Sequence, residues 1–369
     1  MKPVFVLAGL LGLAGPPLSQ VPPSPNRRPV FLNEERLILL RRRLQAGAEP
    51  TASAFRRMKA EVERDLDREA RVPRHWHVPG YYRDAEGHRK AKEGLQSDAN
   101  LAYQAALAWR LTDDERYAKT ALRLIEAWST RLESTSDQDD STLSFSYHFP
   151  AMVFGADLLR AWRPWTEESR RTFDRFLVER ALPLNTMKAR NNWGNWGLVL
   201  VLAIAAWRGD AALLDKGTAR WKEFIEEQIT EQGHLHHEVT RNNGRGDHGI
   251  WYSHFSLMPQ TIAAEILRVN GTDLYEYRSP KGRTLRQAFE VLAGWTRRPG
   301  TFPYFKGDPK GLAGVTYYSY FELLNPRWPN ADAAALLAER RPMTAFHSAP
   351  ALTLTHGDLP VEKPAGGRP

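Results

Sequence analysis

Residues 241–255 read RNNGRGDHGIWYSHF and hold two arginines, two histidines, a tryptophan, a tyrosine and three glycines. Such a stretch is too polar for a core and too aromatic for a plain connection. The constellation in and beside it that can do chemistry is His237, Arg245, Tyr252 and His254. An arginine near a tyrosine stabilises the phenolate, so the phenol's pKa falls toward working pH. Such a tyrosine can take a proton and return it. The competing reading is a buried tyrosine with a structural arginine partner.

Two further segments concentrate polar and aromatic residues. ARNNWGNWG (189–197) opens an apolar run, and Asn191 or Asn192 can cap the helix that begins there. Free N–H groups and the positive dipole end at such a start also make a carboxylate site, and an amide beside them adds hydrogen bonds without charge. Trp193 and Trp196 fit either a core or a flat platform for a sugar ring. RVPRHWHVPGYYRDAEGHRKAKEGL (71–95) is rich in Arg and Lys and carries Trp76, Tyr81 and Tyr82. It reads as a solvated connection or as a basic lid over an anionic chain, with Tyr81 and Tyr82 as contacts. His148 is a further candidate substrate contact. His234, His236 and His237 spell HxHH, which lacks the carboxylate or cysteine partners of usual metal motifs. Arg245-Gly246-Asp247 matches an adhesion tripeptide, too short a match to carry weight.

The body that must position these groups reads as helix after helix. Helical patterns cover 101–128 (two helices around a Thr-Asp-Asp break, capped by Thr112 or Asp113), 149–165, 165–182 from a Thr166 cap, 192–210, 211–229, 256–271 and 284–298. The stretch from 192 is apolar nearly all round, which predicts a buried helix. Residues 344–356 alternate weakly and read as one short strand or an extended tail. Apolar helices end near Arg110, Arg160, Arg208 and Arg268, a helix–turn–helix unit that recurs about every 50 residues. Stacked hairpins follow, and closure into an α/α toroid or incomplete barrel suits the hydrophobic inner helices. The expected division is a signal peptide over 1–20, a single all-α domain over 30–345 and an extended tail over 346–369.

The chain has 369 residues, a net charge of +8 and no cysteine. One lysine precedes the apolar run from Val4 to Ala14, followed by small residues and prolines, the pattern of a signal peptide. The expected location is periplasmic or secreted, with no membrane span in the mature form. A basic exported protein favours acidic partners: anionic polysaccharide, a membrane surface or nucleic acid. Nucleic acid is disfavoured, since no recognised nucleic-acid motif is present.

The succession Asp98…Ala106-x-x-Trp109-Arg-Leu-Thr112, then NNW, then Glu238…Arg245-Gly246…Tyr252-x-His254-Phe255 resembles the alginate lyase family of α/α-toroid polysaccharide lyases. That resemblance spans roughly residues 75–330. It implies β-elimination at a 4-linked uronate, with mannuronate or glucuronan polymers as substrates and no metal or organic cofactor. It places the family's asparagine on Asn192, its arginine on Arg245 and its tyrosine on Tyr252. Trp193 stands where the family has a histidine, so His237 is the candidate to share the binding of the carboxylate with Asn192. The spacing from Glu238 makes Arg241 a rival for the arginine role, and otherwise a substrate contact. Two other classes stay open. A glycoside hydrolase would need paired carboxylates from Glu238, Asp247, Asp139 and Asp140. A non-catalytic polyanion-binding protein would need only the basic loop.

Overall fold

Side-chain caps fix most helix starts in the computed structural model, which describes residues 28–241, 248–305 and 314–360. Helix α1 (Glu34–Gln45) is capped by Asn33, and α2 (Thr51–Arg64) follows. Asp84 caps α3 (Ala85–Thr112), and Asp114 caps α4 (Glu115–Arg131). The Thr-Asp-Asp break was expected to cap through Thr112 or Asp113. Asp113 instead ends α3 in the left-handed region, and the next residue supplies the cap. Short helices α5 (Ser141–His148) and α6 (Pro150–Leu158) precede α7 (Glu167–Phe176), whose cap is the expected Thr166. Then come α8 (Asn192–Arg208), α9 (Ala211–Gln228), α10 (His248–Val269) and α11 (Leu285–Arg297). The chain finishes with α12 (Phe321–Leu324), α13 (Ala331–Arg340) and α14 (Leu352–His356). A two-residue parallel pair joins His75–Trp76 to Ser134–Thr135.

Burial sorts these helices into two layers. Helices α6 and α8, α10 beyond Tyr252 and the second half of α3 are buried almost throughout. By contrast α4 buries Tyr117, Ala118, Ala121, Leu124, Ile125 and Trp128, a single apolar stripe. Inner helix α3 packs on α4 and α6, α8 packs on α6, α9 and α10, and α10 packs on α11. Hairpins α3/α4, α8/α9 and α10/α11 therefore stand side by side around the core.

The recurring arginines report the direction of the inner layer. Arg110, Arg208 and Arg268 sit in the last turns of α3, α8 and α10, and Arg160 lies just beyond α6. Each meets a carboxylate: Arg110 with Glu34 at 2.6 Å, Arg160 with Asp157 at 2.6 Å, Arg268 with Glu265 at 2.7 Å, and Arg208 with Asp174. A cation at a helix C-terminus also complements the dipole. The bond from Arg160 to the carbonyl of Trp207 ties the C-terminal ends of α6 and α8 together.

Three expectations need correction. Helix α10 begins at His248 rather than 256, so Tyr252 rides on a helix and not in a polar loop. Helix α3 begins at Ala85, so the second half of the 71–95 segment is helical. Residues 346–360 are neither strand nor trailing tail. Ala349, Leu352, Leu354 and Thr355 are buried, and α14 packs on α1, α2 and α12. With α13 joining α11 to α12, this segment closes the ring back to the first helices. The segment read as a signal peptide lies outside the described residues. Among the described residues no helix is long and apolar enough to cross a membrane.

Candidate active site

The two asparagines at the start of α8 divide their work. Asn191 caps the helix, its side chain accepting from the backbone N–H of Trp193 at 3.2 Å. Asn192 is thereby free to reach across the cleft. Its backbone N–H and its side-chain amide each donate to Oε1 of Glu238 at 2.9 Å. Both side chains are almost wholly buried.

Glu238 is held by the turn after α9. The Ile229–Leu235 bridge opens that turn, and Gln228 fastens it by accepting from the His236 N–H and donating to the Arg190 carbonyl. Gly249 lets α10 approach the same turn, since a Cβ there would lie 2.3 Å from the Val239 carbonyl oxygen. Arg241 closes the turn. Its Nε lies 3.3 Å from Glu238 Oε2, and its guanidinium carbon lies 4.5 Å from the centroid of the Tyr252 ring.

Tyr252 projects from the second turn of α10. Its hydroxyl meets that of Tyr82, which arrives on the loop before α3. That loop is pinned on its far side. Tyr81 N–H donates to Asp140 at 2.9 Å, Arg83 pairs with Asp139 at 2.6 Å, and His88 lies 3.0 Å from the Pro79 carbonyl. Tyr81 and Tyr82 are exposed and pack edge to face. Burial pushes the Tyr252 phenol well up, and the Tyr82 hydroxyl pushes it further, while the charge and hydrogen bond of Arg241 pull it down. The expected fall in its pKa is thus not the state shown here, because the Tyr82 contact and desolvation outweigh the cation.

These contacts bring together the N-terminal ends of α3, α8 and α10, opposite the end marked by the arginines. Three helix dipoles therefore present their positive ends to one region, which favours an anion. Lys92, one turn beyond His88 on α3, adds an ammonium 3.3 Å from the Tyr147 hydroxyl. Burial lowers its pKa to about 8, with Asp140 opposing.

The other anticipated residues separate. Arg245 and Asp247 lie outside the described residues. His237 sits on the Glu238 turn with its ring 4.1 Å from that of His236. Burial and the charge of His236 lower its pKa, so it is a neutral imidazole near Arg241 rather than a second cation. His234 turns to the Tyr304 hydroxyl, 3.0 Å away, so HxHH does not converge. Trp193 is half-buried beside Asn192 and packs against the core. Trp196 has 0% exposure and packs on Tyr147, Phe255 and His347, which makes it core. His254 is likewise enclosed, lying 2.9 Å from the Tyr320 hydroxyl and 2.7 Å from that of Thr296. His148 is buried against the Phe346 carbonyl at 3.1 Å. Contact with substrate is corrected for Trp196, His254 and His148, since no sugar can reach them. Glu238 was not singled out as the partner of Asn192, nor Lys92 as a buried cation beside Tyr147. The signal for Glu238 was present, in its fixed spacing from Arg241, but its link to Asn192 spans 46 residues.

Known proteins share this fold. A polysaccharide lyase of Stenotrophomonas maltophilia is 30% identical over 151 residues, a match covering 41% of this chain and 43% of that protein. The fold is similar to that of alginate lyase A1-III from Sphingomonas species A1, with a TM-score of 0.70, 18% identity and coverage of 87% of this chain and 94% of that one. Two variants of the same lyase, tyrosine-to-phenylalanine and histidine-to-alanine, are known in complex with a tetrasaccharide. An alginate lyase from Bacteroides ovatus superposes with a TM-score of 0.66 at 16% identity, covering 90% of this chain and 99% of that one. The all-α ring is thus the α/α toroid of those structures. An alginate lyase family model matches residues 46–302, and the chain belongs to the alginate lyase family.

Proposed function

We propose that this chain is a polysaccharide lyase that cleaves a 4-linked uronic-acid polymer, alginate (polymannuronate) or glucuronan, by β-elimination. The observation that carries this reading is the guanidinium of Arg241 over Tyr252, beside a buried amide at the mouth of α8. The C5 proton of a uronate is weakly acidic, and the neighbouring carboxylate makes its removal harder. Asn192, 1% exposed while Tyr82 rests against Tyr252, is uncovered when substrate displaces that loop, and its second amide N–H, the N-terminal end of α8 and the neutral His237 then bind that carboxylate and favour the enolate-like transition state.

Tyr252 as phenolate removes the C5 proton. The C5–H electron pair becomes the C4–C5 double bond, and the C4–O4 pair leaves with O4. The proton on Tyr252 then passes to O4 when both lie on one face of the ring. Substrate entering the cleft displaces Tyr82, which removes one of the two influences that raise the Tyr252 pKa and leaves Arg241 opposed by burial alone. Tyr81, Tyr82 and Trp193 offer flat surfaces to sugar rings, and the loop that carries the two tyrosines acts as the lid. Among the described residues, Glu238, Asp139 and Asp140 are engaged by Asn192, by Arg83 and by His88 and Tyr81. Among the described residues the hydrolase alternative is thus left without a pair of carboxylates aimed at one bond. Export to the periplasm or beyond suits a polymer substrate and the apolar leader of the sequence.

The test is incubation with polymannuronate, polyguluronate, glucuronan and hyaluronan. A lyase yields a product whose new double bond absorbs in the ultraviolet. A saturated product indicates a hydrolase, and no product from any of the four removes the support for this reading.

A further inference from the structure

A carboxylate that is 1% exposed, as Glu238 is, is expensive to bury unless its oxygens are well matched. Oε1 takes two N–H donors from Asn192. Among the described residues Oε2 has no hydrogen bond, although Arg241 Nε is only 3.3 Å away. A carboxylate kept for stability alone would take the arginine in the planar two-pronged pairing that is strongest. Here the guanidinium is turned from that geometry and laid over the Tyr252 ring. Burial raises the Glu238 pKa, with Asn192 and Arg241 opposing.

We infer that Glu238 is a positioning residue: one carboxylate holds the Asn192 amide with one oxygen and restrains Arg241 over Tyr252 with the other. This rests on the lyase reading and adds to it the element that keeps the two halves of the site in register. Glu238 touches neither the reacting carbon nor the leaving oxygen. It acts through Asn192, which binds, and through Arg241, which orients the base. The two arms can be separated, because glutamine retains an acceptor for Asn192 but puts no charge opposite Arg241.

The experiment compares E238Q and E238A with the wild type and with R241Q, on the uronate polymer that the wild type cuts. E238Q is expected to lower kcat by about 10- to 100-fold while KM moves less than threefold. E238A is expected to lower kcat and raise KM, because both arms are lost. The double variant E238Q/R241Q should be no slower than R241Q alone. Losses that multiply in the double variant, or a wild-type kcat in E238Q, overturn the proposal. Crystal structures of the wild type and E238Q provide a readout independent of turnover. Arg241 should leave the Tyr252 ring while Asn192 keeps its place, and an unmoved Arg241 refutes the assignment. If the wild type cuts no uronate polymer, the lyase reading fails by that result, and the structures still decide the positioning role.

Discussion

The guanidinium of Arg241 lies over the ring of Tyr252, its carbon 4.5 Å from the ring centre. A cation so placed lowers the free energy of the phenolate relative to the phenol and restricts the ring's rotation. Arg241, the rival for the arginine role, thus lies over the ring, while Arg245 lies outside the described residues. R241Q is expected to reduce kcat on the order of 100-fold and R245Q by far less. Steady-state kinetics on the two variants check this, and the reverse order would give the role to Arg245.

The contact between Tyr82 and Tyr252 gives a second prediction. Burial raises the Tyr252 pKa most, the Tyr82 hydroxyl raises it further, and Arg241 lowers it. Y82F should therefore move the Tyr252 titration to lower pH. Ultraviolet difference spectra of the phenolate, with Y252F as the reference, show the shift. An unchanged or higher titration point would mean that the lid tyrosine does not govern the base.

The buried histidines predict how stability depends on pH. Burial holds His254 at about 3, and His148 and His347 also titrate well below the usual range, first through burial and then through nearby positive charge. The unfolded chain binds those protons near pH ~6.5. The folded chain therefore keeps this contribution above that pH and loses it as the pH falls toward 3. Each such group removes about 1.4 kcal/mol per pH unit in that window. Urea unfolding at several pH values measures the slope. H254Q should flatten it by one histidine's share, and an unaltered slope would show that His254 titrates normally in the fold.

Much of this was legible in the sequence, and the failures have physical causes. Long apolar runs such as 192–208 announce buried helices through composition alone, and the arginines at 110, 160, 208 and 268 mark helix ends because cations suit those ends. Asn192 and Tyr252 were visible as residue types beside a helix start. Arg241 was only a rival because counting along the chain does not reveal how a turn folds back. His254 and His148 looked reactive because a polar side chain carries no mark of its burial. Their partners, Tyr320, Thr296 and the Phe346 carbonyl, come from distant segments. The closing segment around α14 was missed because its helix is one turn long and has no periodicity to read.

The most direct measurement is the initial rate of formation of the unsaturated product by Y252F and by the wild type, on the uronate polymer that the wild type cuts fastest. Removal of one hydroxyl oxygen should abolish the rise in ultraviolet absorbance, a loss of at least about 1,000-fold, while the variant still binds the polymer. A Y252F rate within tenfold of the wild type would show that a different group takes the proton from C5.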